Sequence, residues 1–361
     1  VIYRDPAAYT SHPCVTRLAN GDLLVAFNES LPRRPYLHPP HDPRFINVMA
    51  RSRDGGFTWE APRAVPGYEW TGVECPGLAA LTTGEVVLNQ WRFLWYPLET
   101  AHRRWRAGDP NVHLALTRSH VWHPPRDEAD WATARFPWAR GDAGCFVSIS
   151  TDGGATWDRT VPVPTAPFPR GYSPRPVIEL ADGVWLLALG SHDDDEACFV
   201  VHSTDRGQSW GPPITALPRA PGRLFSEPTA LALPDGRLVL LARETCGYLF
   251  QSESTDGGRS WTPPVQTPIW GYPAHLIALP DGRLLCVYGY RRPPYGIRAC
   301  LSDDGGRRWD IDGELIIRDD LPNANLGYPT AAVLAADRLF IAYYGEDSAG
   351  VTHIIGSHIV V

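Results

Sequence analysis

The sequence of 361 residues has no apolar stretch long enough to span a membrane, no run of basic residues and no Cys-x-x-Cys pair. Each absence removes a class of function. A membrane-spanning helix needs about 20 consecutive apolar residues, so none is expected. With no basic run and a net charge of -7, neither nucleic acid nor an anionic membrane surface is an expected partner. Without cysteine pairs at ligand spacing zinc is not indicated, and no metal or other cofactor is expected. His120-Val-Trp-His123 is the nearest thing to a histidine ligand pair, and it lacks further convincing ligands nearby. The seven cysteines are odd in number and fall at strand positions; Cys145 and Cys198 each precede an equivalent serine by five residues. They read as buried free thiols rather than a disulfide framework. No signal peptide is recognisable, while Val1 stands almost inside a strand. A secreted or periplasmic location would require a leader already removed, so localisation stays open, as does oligomeric state.

What the chain has in abundance is turn residues and tryptophan: Gly 33, Pro 36 and Trp 14. Five copies of Ser-x-Asp-x-Gly-x-x-Trp run through it, at 52–59, 150–157, 203–210, 254–261 and 302–309. In such a turn the carboxylate accepts backbone N–H bonds, the glycine supplies positive φ, and the indole packs into a sheet. Each copy occupies the same place in a larger unit that begins at Pro13, Pro76, Pro174, Pro228, Pro273 and Pro329. An apolar strand follows the proline, then a hairpin turn such as Asn20-Gly21 or Asp235-Gly236, a second strand, a variable loop, a third strand, the Asp-box and a short fourth strand. Six four-stranded antiparallel meanders at a regular period predict an all-β, six-bladed β-propeller. The sixth unit has no Asp-box, so the two termini are expected to share its blade and close the ring. The repeats cover nearly all of 1–361, which reads as a single domain with a long insertion in the second blade, about 92–142.

The hairpins and Asp-boxes turn at one end of every blade, which leaves the other end for chemistry. That rim collects the residues just before each proline: Ser11 and His12, Glu74, Tyr172 and Ser173, Glu227, Tyr272 and Tyr328. Arg243 closes the hairpin that begins at Glu227, and the loop 288–298 adds Arg291, Arg292 and Arg298. Converging guanidinium groups suit a carboxylate ligand, or else pair with rim acids as structural ion pairs. Glu74 is either a site residue or a partner of Arg92. The insertion, with Trp95, Trp105, Trp122, Trp131 and Trp138, reads as a lid, a sugar platform, a dimer contact or a self-packed flap. The run Asp193-Asp194-Asp195-Glu196 reads as a solvated acidic loop or a cation site.

At Ser226-Glu227-Pro228, with Arg243 after the hairpin, Arg292 before a Gly-x-Arg strand and Gly327-Tyr328 near the end, the chain resembles the sialidase superfamily. The resemblance implies Tyr328 as nucleophile, Glu227 as its base, Arg243 and Arg292 as carboxylate ligands, and Asp42 in the first blade's long loop, or Glu74 on the neighbouring blade, as acid. Arg298, His12 and Glu74 join as further substrate-binding candidates. Two positions depart from the family. Ser11-His12-Pro13 stands where its first arginine would be, with Arg4 and Arg17 as substitutes, and Ile46 lies nearer than Asp42 to the place of its acid. The implied activity is retaining exo-hydrolysis of a terminal acidic sugar, sialic or uronic, by a Tyr/Glu pair. Two alternatives stand beside it: a polysaccharide lyase on uronic-acid glycans, and a non-catalytic glycan-binding propeller.

Overall fold

The structure is a computed structural model and describes residues 1–30, 43–65, 73–117, 122–191 and 197–361. Asp42, His120 and the acidic run 193–196 lie outside the described residues. Five four-stranded antiparallel sheets follow one another along the chain, each in simple meander order. The first blade is Tyr9–Arg17, Leu23–Ser30, Ile46–Ser52 and Arg63–Ala64, and the second is Val73–Ala80, Val86–Pro97, Trp138–Ser150 and Arg159–Pro162. The third, fourth and fifth begin at Ile178, Ser226 and Ala274. The sixth has the strands Gly327–Ala335, Arg338–Glu346 and Thr352–Val360, and Tyr3 bridges Ile354 to supply its outer edge. The termini therefore share this blade, as the missing sixth Asp-box implied. No helix among the described residues is long and apolar enough to cross a membrane.

The core is divided among the interfaces between blades. Along the strand Leu23–Ser30, Leu23, Val25 and Phe27 face the sixth blade, whereas Leu24 and Ala26 face the second. Strict alternation thus feeds two separate apolar layers from one strand. The same partition recurs around the ring, and each neighbouring pair of blades has its own buried cluster. Six of the seven cysteines are buried within these layers or at the rim; Cys246, in a turn after Arg243, is exposed and departs from the expectation of buried thiols.

The Asp-boxes tie the blades together. In the first, Asp54 accepts hydrogen bonds from the N–H of Phe57 and Thr58 and from the hydroxyls of Ser52 and Thr58. This holds open a turn whose fourth residue presents its carbonyl outward. That carbonyl accepts a bond from a side chain of the preceding blade in all five copies: His358 to Gly55, Arg51 to Gly153, Arg159 to Arg206, His202 to Gly257 and Arg237 to Gly305. The fifth-position glycine sits against the neighbouring sheet, where a Cβ on Gly56 would come within 2.6 Å of Phe340.

These turns couple stability to pH. Hydrogen bonds led by the Thr156 hydroxyl hold Asp152 down to about 2, and bonds led by the Ser209 hydroxyl hold Asp205 down to about 2. Because the folded-state values lie below the ordinary carboxyl value of about 3.9, this stabilisation is full above that value and is lost as pH falls through the folded one. The melting temperature should therefore decline between about pH 4 and pH 2, modestly for carboxylates this exposed. In an Asp152→Asn/Asp205→Asn variant, thermal melts should show a lower value at neutral pH and a shallower acid decline.

Candidate active site

The pairing of four innermost strands skips a residue at the rim, between Ser11 and Cys14, Glu74 and Gly77, Ser226 and Thr229, and Gly327 and Thr330. Inside each skip the residue before the proline has positive φ: His12 at 52°, Cys75 at 48°, Glu227 at 51° and Tyr328 at 49°. Non-glycine residues seldom adopt this conformation, and a following proline restricts the backbone further. A bulge of this kind re-aims a side chain that would otherwise face a neighbouring blade. All four side chains are buried, and they converge on the channel axis. The His12 and Tyr328 rings meet edge to face at 4.0 Å between centroids. His12, Glu74 and Cys75 offer ligand atoms that all lie within 4.8 Å of one another.

Tyr328 and Glu227 form the centre. The Tyr328 hydroxyl donates a hydrogen bond to Glu227 Oε1, and Arg243 Nη1 donates to Glu227 Oε2 at 3.0 Å. Burial alone would raise the Glu227 carboxyl, but Arg243, the Tyr328 hydroxyl and Arg291 outweigh it and hold the group below its ordinary value. Burial and the adjacent Glu227 charge push the Tyr328 phenol well above its ordinary value. At neutral pH the pair is a carboxylate accepting from a neutral phenol. The Arg243 guanidinium lies 4.2 Å over the Tyr272 ring, which fixes its plane.

The three arginines of the fifth blade separate. Arg291 donates from Nε to the Leu326 carbonyl at 3.0 Å and lies 5.4 Å from the Tyr272 ring and 5.7 Å from that of Tyr328. Arg292 turns to the outer strand of the fourth blade, 4.2 Å over Trp270, and donates to the Tyr290 hydroxyl at 2.6 Å. Adjacent residues of an extended segment point to opposite sides, so one of the two reaches the axis. Arg298 is drawn outward by an ion pair to Glu314 and stacks on Tyr290 at 3.6 Å. Arg292 and Arg298 are thus not brought to the Tyr328 centre. Of the two suggested substitutes for the missing first-blade arginine, Arg4 pairs with Asp347, and Arg17 lies at the hairpin end.

Glu74 is buried beside Cys75, and burial pushes it up to about 8, opposed by Arg140 and reinforced by Glu227. Arg140, not Arg92, is the cation acting on it; Arg92 lies 4.7 Å over Phe146. Arg140 enters from the base of the insertion, 4.7 Å over Phe93 and 5.4 Å over Trp122. The insertion itself, 98–137 between the extended strands, has a small core of its own. There Ala101, Val112, Leu114 and Leu116 pack with Trp105 and Trp131. Arg175, two residues after Ser173, is also fully buried near the axis and donates from Nε to the Ala274 carbonyl at 2.6 Å. Cys75, Arg140 and Arg175 were missed from sequence. For Cys75 the signal was present, since it directly precedes Pro76 as His12, Glu227 and Tyr328 precede their own prolines.

The model of the BNR repeat-like domain family matches residues 129–341. The chain belongs to the BNR repeat-like domain family. No curated protein matches it significantly. Among solved structures, a protein of unknown function from Dyadobacter fermentans is 23% identical, with a TM-score of 0.83 over 100% of this chain and 97% of that one. The intramolecular trans-sialidase of Ruminococcus gnavus, in complex with oseltamivir carboxylate, is 15% identical, with a TM-score of 0.71 over 100% and 97%. The α-L-arabinanase of Penicillium chrysogenum, complexed with arabinobiose, is 15% identical, with a TM-score of 0.65 over 99% and 96%. At these identities the likeness shows the fold alone, a β-propeller.

Proposed function

We propose that this BNR-family propeller is an exo-acting, retaining glycoside hydrolase for a terminal acidic sugar, with Tyr328 as nucleophile and Glu227 as its base. The observation that carries the reading is the buried relay from Tyr328 Oη to Glu227 to Arg243. Tyr328 Oη attacks the anomeric carbon as its proton passes to Glu227, and the glycosidic oxygen leaves with a proton from an acid. Water then displaces Tyr328 from the same carbon, giving its proton to the conjugate base of that acid, and Glu227 returns a proton to the phenolate. Asp42 retains the assignment of acid from the sequence. A neutral phenol suits an anionic substrate because it approaches without the repulsion a carboxylate nucleophile would meet. Arg243 and Arg291, rather than Arg292, are assigned to the substrate carboxylate. Aryl glycosides of sialic, uronic and neutral sugars identify the sugar class, and an unsaturated, ultraviolet-absorbing product would mark a lyase instead.

Two variants test the assignments. Tyr328→Phe keeps the ring and removes the oxygen, so kcat should fall by about 10³-fold or more while substrate binding persists. Full turnover in that variant excludes the mechanism. Arg243→Lys keeps the charge and loses the fork, which should cost about 1–3 kcal/mol in kcat/KM for the acidic substrate. The loss should nearly vanish with an analogue whose carboxylate is reduced to an alcohol. Arg292→Lys, stacked on Trp270, should not discriminate between the two substrates.

A further inference from the structure

We infer that His12, Glu74 and Cys75 form a three-ligand site for a divalent transition metal of the zinc class, set into the rim beside Tyr328. This goes beyond the hydrolase reading and does not depend on it. The three groups come from adjacent blades and are 1%, 5% and 1% exposed, and their nitrogen, carboxylate oxygen and sulfur atoms all lie within 4.8 Å of one another. Around one tetrahedral ion with bonds of about 2.0–2.3 Å, ligand atoms stand roughly 3.3–3.8 Å apart. The trio therefore needs to close by about 1 Å, within reach of side-chain rotation about χ angles.

The surroundings are built to hold such a set. His12 and Cys75 both sit in the left-handed conformation inside bulges at the rim, where Cys75 lies at the end of the apolar layer between the sixth and first blades. The His12 Nδ1 atom is 2.7 Å from the Ser11 hydroxyl, which orients the ring and assigns ligation to Nε2, as when a ligating histidine is held through its other nitrogen. The Cys75 N–H donates to Asn28 Oδ1 at 3.3 Å, while Asn28 Nδ2 donates to Asn47 Oδ1 at 2.6 Å and to the Val73 carbonyl at 3.2 Å. Asn28 thereby pins the Cys75 bulge of the second blade to the first, where His12 lies.

The donor set chooses the metal. A sulfur, an imidazole and one carboxylate suit zinc and its cobalt surrogate, whereas calcium and magnesium require oxygen ligands throughout. Thiolate and carboxylate together balance a divalent charge, so the ion can be buried without leaving an excess. Three protein ligands also leave a fourth position for water or a substrate oxygen, the arrangement of catalytic rather than structural zinc sites.

Cobalt(II) gives a readout that owes nothing to turnover. The full-length chain, purified with chelator and titrated with cobalt chloride, should take up one ion with a near-ultraviolet thiolate-to-cobalt charge-transfer band and visible bands of tetrahedral intensity. Cys75→Ser should abolish the charge-transfer band, and His12→Gln and Glu74→Gln should each weaken cobalt affinity at least tenfold. Cys246→Ser removes the exposed thiol and should leave the spectrum intact; Tyr328→Phe should do the same. Near-ultraviolet circular dichroism reports whether each variant is folded. Absence of the band in the folded wild type overturns the assignment. So does a band that survives Cys75→Ser or disappears with Cys246→Ser, since the ion is then held by a surface thiol.

Discussion

A side chain on a regular innermost strand of this propeller has two destinations, the apolar layer on one side of its blade or the layer on the other. Cys14 and Val15 illustrate the choice, the first packing toward the second blade and the second toward the sixth. Neither direction is the channel. The rim groups reach the axis because one extra residue is inserted before each proline and takes positive φ, at His12, Cys75, Glu227 and Tyr328. A left-handed L-residue costs about 1–2 kcal/mol, so four of them are a substantial strain in a domain of marginal stability. The compensation is visible at each place: Ser11 against His12, Asn28 against the Cys75 N–H, Arg243 and Tyr328 against Glu227. Strain at a shared position in four blades, met by specific polar bonds, is the pattern of a site held against local preference.

Such strain needs a rigid frame, and the opposite end of the blades provides it. The Asp-box turns do more than end a strand: each presents a carbonyl that the preceding blade caps with an arginine or histidine. The chain contains no lysine; all 33 of its Lys and Arg residues are arginine. A planar guanidinium can donate to a carbonyl and lie flat on an aromatic ring with little loss of side-chain freedom per bond, which an ammonium on a flexible stem cannot do. The same property serves both ends of the molecule, in Arg51 and Arg237 under the Asp-boxes and in Arg243 and Arg291 against Tyr272 at the rim.

The architecture was legible because its signals are local and repeated. An Asp-box is eight residues long, and the interval from proline to Asp-box shows the blade. The Glu227–Arg243 pair was legible too, because one hairpin brings its ends together, as Ser226 facing Arg243 shows. What sequence could not resolve was direction. Arg291 and Arg292 are neighbours with the same chemistry, and only the side on which the chain leaves the strand decides which reaches the axis. Arg298 was claimed for the rim by proximity in sequence, whereas Glu314 on the adjacent outer strand holds it away. Cys75 was passed over because a cysteine in a strand reads as a small hydrophobe, although its place before Pro76 matched that of five residues already singled out, His12, Ser173, Glu227, Tyr272 and Tyr328.

Arg243 faces two demands that would conflict for most cations. Glu227 needs a permanent positive neighbour to remain ionised in a buried place, and the proposed substrate needs a cation that is not already spent. One Nη1–H of Arg243 serves Glu227 at 3.0 Å, and a guanidinium carries five N–H donors in a fixed fork. Stacking on Tyr272 at 4.2 Å sets the plane of that fork, so the donors unused by Glu227 keep a defined direction without help from further acids. A single arginine can in this way hold the base ionised and still offer an edge to a second carboxylate. Its charge is then shared between two anions, and Glu227 in the complex is less well compensated than in the free protein. Weaker compensation makes a carboxylate more basic, so the arrival of an acidic group at Arg243 and the readiness of Glu227 to accept the Tyr328 proton are coupled through one side chain.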